Sequence, residues 1–159
     1  MSNPTEVTIA LLLRGTPAAE ILLGWKKRGI GESLFTGIGG RVELGETALD
    51  AAIREVREEI GVEVLHHDLH HLGTLNFRFP AKPEWNEVAQ VFLITRWKGN
   101  PMETEEIRPA WFPVEQIPYE KMWHDYSFWL PDAIQGQPIS ATFTYAADNK
   151  TVDKYGKAQ

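Results

Sequence analysis

The stretch Ala48–Ile60 constrains this chain most, because its two faces demand different surroundings. Leu49, Ile53, Val56 and Ile60 follow i, i+4, i+7, i+11 spacing. At about 100° per residue they fall within roughly 60° of one another, which predicts a helix with one core-facing stripe. Gly61 stands where a helix C-terminus wants a residue free to take positive φ. Glu55, Glu58 and Glu59 fall on the other side, across an arc of about 100°. Three carboxylates within one turn repel unless positive charge offsets them. Arg54 and Arg57 supply such charge at the surface, and a divalent cation supplies more. Magnesium takes hard oxygen ligands and keeps water and substrate phosphates among them, so this helix face offers half of its coordination shell.

The rest of the chain reads as strands and turns around that helix. Val7–Leu13 and Glu20–Lys27 flank a Gly15–Pro17 turn; strand-like runs follow at Leu72–Phe79, Ala89–Trp97 and Ala110–Val114. A short helix is expected around Ser127–Ile134, and Ile139–Tyr145 with Thr151–Tyr155 as a hairpin over Asp148–Asn149. Strands mixed with helices in no regular alternation predict α/β or α+β architecture with a mixed sheet. No repeat or linker divides the 159 residues, so a single domain over 1–159 is expected.

Composition narrows the function classes. There is no cysteine, which excludes disulfides and thiolate metal sites. The net charge of −6 disfavours a nucleic-acid polymer as partner, since such binding rests on neutralising many phosphates. A small polyphosphate remains compatible if a cation bridges the two negative partners. The apolar run Ile9–Leu13 is too short for a signal peptide or membrane span, so no membrane partner and a cytoplasmic location are expected. Six tryptophans serve packing first and base stacking second.

The wider spacing around the acidic helix is the specific signal. Gly40, five residues, Glu46, seven residues, then Arg54-Glu55-Val56-Arg57-Glu58-Glu59-Ile60-Gly61-Val62 matches nine specified positions without exception. A chance match per starting position is on the order of 10⁻⁹ or rarer. This is the pattern of the Nudix box, and the chain resembles the Nudix hydrolases. The resemblance continues through Ile21–Gly29, Gly37–Val42, Glu106–Phe112, Gln116–Pro118 and Met122–Trp123, which look like the subgroup that hydrolyses oxidised purine nucleoside triphosphates such as 8-oxo-dGTP.

That resemblance implies a Nudix fold, a mixed β-sheet sandwiched between helices, and magnesium-dependent hydrolysis to a nucleoside monophosphate and pyrophosphate, with manganese as a substitute ion. It implies a catalytic set of Arg54, Glu55, Glu58, Glu59 and Glu106, with metal held by Gly39, Glu55, Glu58, Glu59 and Glu106. Arg54 is expected to pair with a box glutamate, and Glu46 to reach the same site from the loop. Substrate contacts are implied for Lys26, Thr36, Gly39, Gly40, Phe77, Trp123 and Asp125. The partner is then a small nucleotide, and the chain a monomer or dimer.

Two departures bear on base choice. The resembled enzymes carry Trp-Pro-Asp-Asp at the end of an aromatic slot, where this chain reads Trp123-His124-Asp125-Tyr126. They carry Asn before the glycine turn, where this chain has Thr36. Lost directed hydrogen bonds change base preference more than they change phosphoanhydride chemistry. An ADP-sugar, a dinucleoside polyphosphate, an ordinary dNTP, or nucleotide binding without catalysis therefore stand as alternatives. His66, His67, His70 and His71 form a dense patch that is expected to be a surface turn rather than a metal site.

Overall fold

The computed structural model describes residues 3–15 and 17–157. One mixed sheet is built from β1 (Thr5–Arg14), β2 (Glu20–Lys26), β3 (Phe35–Thr36), β4 (Leu69–Arg78), β5 (Glu87–Ile94), β6 (Ile107–Pro113), β7 (Ile139–Tyr145) and β8 (Val152–Lys157), with helices α1 (Ala48–Ile60) and α2 (Tyr126–Ile134). Its order is β3-β2-β1-β5-β4-β7-β8, with β6 on β2. The β1–β5 and β4–β7 pairs are parallel and the others antiparallel.

The near-continuous apolar run of β1 is explained by burial on both faces. Val7, Leu11 and Leu13 join Ile21, Leu23, Leu75, Val91, Phe143 and the α2 residues Tyr126, Trp129, Leu130 and Ala133 in one core. Ala10 and Leu12 point the other way, into a second core with Leu22, Ile38, Ile94 and the α1 residues Val56 and Ile60. The expected sheet between helices is therefore present, with one hydrophobic cluster on each face.

Local chemistry fixes α1 at its predicted bounds. The Thr47 side chain accepts from the Asp50 N–H at 3.1 Å, capping the start. Gly61 closes the end at φ 70°, its N–H bonded to the Arg57 carbonyl at 2.9 Å. The core stripe differs from the predicted one. Val56 and Ile60 are fully buried, but Leu49 and Ile53 are only partly so, and Ala51 and Ala52 are buried instead. Two alanines side by side let the helix lie close to β1, the strand it packs against.

Strand ends also shift from the sequence reading. β6 starts at Ile107 rather than Ala110, because Lys26↔Ile107 extends its pairing with β2. β5 runs from Glu87 to Ile94, which leaves Trp97 outside the strand and stacked on Trp111 at 5.8 Å. β8 covers Val152–Lys157. In the histidine patch, His66 and His67 occupy a 3-10 turn, while His70 and His71 are exposed positions of β4. His66 Nε2 lies 2.8 Å from Asp50 Oδ1 and His71 Nε2 lies 2.8 Å from Gln90 Oε1, so each is occupied separately. Among the described residues no helix is long and apolar enough to cross a membrane.

Candidate active site

The outward side of α1 and the loop before β6 form a cleft of about 430 Å³, walled by Glu55, Glu58, Glu59 and Glu106. Arg54 stands at its edge as the counter-charge. Its Nε and Nη2 reach the two carboxylate oxygens of Glu46 at 2.8 and 2.9 Å, a two-pronged pair. Its Nη1 reaches Glu55 at 2.8 Å and Glu58 at 3.1 Å, and Nη2 also donates to the Arg41 carbonyl at 2.9 Å. Arg54 thus fixes the rotamers of Glu55 and Glu58, a pairing with box glutamates that was expected, and Glu46 acts on Arg54 rather than on the cleft itself.

Glu46 also accepts from the Glu43 N–H at 2.8 Å, closing the loop that leads into α1. The Arg54 hydrogen bonds, then the Glu43 N–H, hold its carboxyl down to about 2 from 4.5. A depressed carboxyl favours the fold in its ionised form, so its contribution is complete above about pH 4.5 and lost as pH falls through about 2. Unfolding of Glu46→Gln should therefore lack the part of the acid destabilisation that wild type shows between those values. Parallel acid-denaturation curves throughout that window would contradict the clamp.

Glu59 behaves differently from its neighbours. It lines the acidic cleft with Glu55 and Glu58, as the sequence reading placed it, and also reaches toward the glycine loop. Its Oε2 accepts from the Gly39 N–H at 3.2 Å. Burial pushes its carboxyl up to about 8, opposed by the Gly39 hydrogen bond and reinforced by the charges of Glu55 and Glu106. Burial likewise raises Glu55, against the pull of Arg54. The glycines explain the tight approach. A Cβ on Gly39 would lie 1.9 Å from the Thr8 carbonyl oxygen, and one on Gly40 would lie 2.5 Å from the Glu55 carboxyl carbon.

Among the described residues, no three His, Asp or Glu groups already converge as a closed metal cage. The donor chemistry nonetheless fits a hard divalent cation. The acids are oxygen donors crowded beyond what Arg54 alone neutralises, and Glu59 is a half-buried carboxyl whose ionised form wants a positive partner. Glu106 Oε1 is held by Arg28 Nη2 at 3.3 Å on the far side of the same cleft.

Beyond the glycine loop lies a second cavity of about 400 Å³, in the range of small-molecule sites. It gathers the remaining sequence candidates, namely Lys26, Thr36, Gly39, Gly40, Phe77, Trp123 and Asp125. Phe79, Trp85 and Trp123 form an edge-to-face cluster with ring centroids 5.7 to 6.3 Å apart. Phe77 lines the same wall with its ring stacked on Phe143 at 5.8 Å. Asp125 is buried; Tyr145 OH donates to its Oδ1 at 2.5 Å and Trp129 Nε1 to its Oδ2 at 2.8 Å. Burial raises this carboxyl and the Tyr145 hydroxyl.

The two positions that depart from the resembled pattern turn out to be one unit. Thr36 Oγ1 and Tyr126 OH are 3.0 Å apart, and the Tyr126 oxygen accepts from the Gly37 N–H at 3.0 Å. Phe79, Trp85, Glu87 and Tyr145 also line the pocket and were not singled out by sequence. Glu59 lines both cavities, so the acidic cleft and the aromatic pocket meet at its carboxyl.

With this geometry in hand, known proteins supply a comparison. Residues 4–133 match the family model described as NUDIX domain. The chain is 38% identical over 155 residues to the mouse protein named oxidized purine nucleoside triphosphate hydrolase, covering 98% of this chain and 95% of that one. It is 36% identical over 149 residues to the zebrafish protein of the same name, covering 94% and 93%. The fold superposes on a MutT protein from Bacillus halodurans with a TM-score of 0.82 at 20% identity, covering 96% and 97% of the two chains.

Proposed function

The chain belongs to the NUDIX family and is a hydrolase of nucleotide phosphoanhydrides, and from that premise we propose that its substrates are oxidised purine nucleoside triphosphates. The observation that carries the reading is Glu59, shared by an acidic cleft suited to a cation-bridged polyphosphate and an aromatic pocket suited to a purine. Within one domain over 1–159, a nucleotide laid across Glu59 puts its base among Phe79, Trp85 and Trp123 and its phosphates against α1.

In this reading magnesium, or manganese in its place, would be held by Glu55, Glu58, Glu59 and Glu106 with the Gly39 backbone. When bound, it offsets the charge that builds on the phosphates during the reaction. The chain's own part is positioning. Arg54 locks Glu55 and Glu58 in place, and the Gly39 N–H aims Glu59. Trp123 stacks the base, and Lys26 adds a positive charge near Glu59 and the pocket. Water adds to phosphorus as a P–O–P bond breaks, and monophosphate and pyrophosphate leave. With a net charge of −6 the domain is unsuited to nucleic-acid polymers; a cytoplasmic setting and a monomer or dimer complete the proposal.

A substrate panel in magnesium tests this. Values of kcat/KM for 8-oxo-dGTP and 2-hydroxy-dATP should exceed those for dGTP and ADP-ribose, with pyrophosphate released from the triphosphates. A preference for ADP-ribose would discard the oxidised-purine reading.

A further inference from the structure

The pocket wall carries three carboxyls, and their hydrogen bonding separates them. Glu59 is engaged by the Gly39 N–H, and Asp125 is engaged on both oxygens by Tyr145 and Trp129. The hydroxyls of Thr36 and Tyr126 are turned on each other. Glu87 stands apart: it is half-buried, and among the described residues no side-chain hydrogen bond or ion pair reaches its carboxyl. It is the first residue of β5, paired to Thr5 on one side and Phe77 on the other, so the sheet holds its backbone rigidly at the pocket wall. A half-buried carboxyl with no protein partner loses its remaining water when a ligand fills the pocket, and that cost is offset when the ligand brings the partner.

We propose that Glu87 is a specificity-determining residue of this pocket, its carboxyl accepting the N–H that a purine acquires at N7 when it is oxidised at C8. The proposal rests on the oxidised-purine reading and names the group that would enforce it. An ordinary purine presents a lone pair at N7, which a carboxylate repels. A purine oxidised at C8 carries a carbonyl there and a hydrogen on N7, so the same edge becomes a donor. A site built to accept such a hydrogen rejects the analogue that lacks it, because a buried polar group is then left unmatched. Burial raises this carboxyl and the Asp125 charge adds to that, while Lys26 and Arg41 pull the other way; a donor from the base joins them in favouring the carboxylate.

The test compares wild type, Glu87→Gln and Glu87→Leu on 8-oxo-dGTP and dGTP. Calorimetric binding of the monophosphates 8-oxo-dGMP and dGMP gives a second measure that does not need hydrolysis. Gln can turn its N–H₂ to an N7 lone pair or its oxygen to an N7 hydrogen and so matches either base, and Leu offers nothing, so both should reduce the oxidised-to-ordinary ratio of kcat/KM by about 10-fold or more. Gln should do so partly by improving dGTP. The monophosphate affinities should move in the same proportion. Ratios in both variants within about twofold of wild type, with both proteins folded, would overturn the role of Glu87 and leave the functional reading standing. If wild type cleaved neither triphosphate but still told the monophosphates apart through Glu87, the functional reading would fall and the role of Glu87 would stand. Loss of both would dismiss the two together.

Discussion

Glu59→Gln is expected to lower kcat/KM for nucleotide hydrolysis by roughly 10²-fold or more, with the fold intact, since a charge held against the reacting phosphates is removed. The substitution keeps shape and retains an oxygen that can accept from Gly39, which lies 3.2 Å away. It also relieves a half-buried acid whose ionisation is opposed by desolvation and then by Glu55 and Glu106. The thermal midpoint should therefore hold or rise while activity falls. The combination distinguishes Glu59 from a core residue, for which loss of activity would follow loss of fold. Near-normal turnover in this variant would remove Glu59 from the reaction, and magnesium titration by calorimetry would show whether the acids had kept the ion without it.

The second large effect belongs to Gly39→Ala. The added Cβ would lie 1.9 Å from the Thr8 carbonyl oxygen and 2.7 Å from its carbon, both backbone atoms of β1 that have no room to swing aside. The loop must lift, and with it go the Thr8 N–H bond to the Gly40 carbonyl at 2.9 Å and the aim of the Gly39 N–H at Glu59. We expect a destabilisation of about 3 kcal/mol, in the range of overpacking in a rigid surround. For a chain of this length that corresponds to a fall in Tm of roughly 6–12 °C. Hydrolysis should fall further than stability does, because the displaced loop disturbs both cavities. Gly156→Ala is the matched control: nothing lies within 4 Å of its Cβ position on β8. Equal stability of the two variants would mean that the loop is softer than its packing against β1 indicates.

Much of this arrangement was legible in the linear chain, and the part that was not has a physical cause. The helix Ala48–Ile60 could be read to its ends because periodicity and a C-terminal glycine are local signals. The box acids came with it, since residues one turn apart share a face whatever the rest of the fold does. The closer burial of Glu59 was not legible, because a helical wheel locates a residue by angle whereas its surroundings depend on how near Gly39 comes. Glu87 escaped notice because the strand was read as starting at Ala89, which left the acid in a loop; pairing with β1 and β4 extends the strand to include it. Phe79 and Tyr145 belong to distant segments and meet only because β4 and β7 lie side by side, with their rings stacked at 4.6 Å. The pairing of Thr36 with Tyr126 could not be inferred from two separate departures, yet it shows that they form one hydrogen-bonded unit.

The two cavities touch at one carboxyl and otherwise draw on different residues. If the two cavities act as proposed, lineages of this enzyme could exchange the side chains around the base, one substitution at a time, while inheriting the acidic cleft unchanged. Drift at Glu59 has no such freedom under the proposed reading, because its carboxyl lines both cavities.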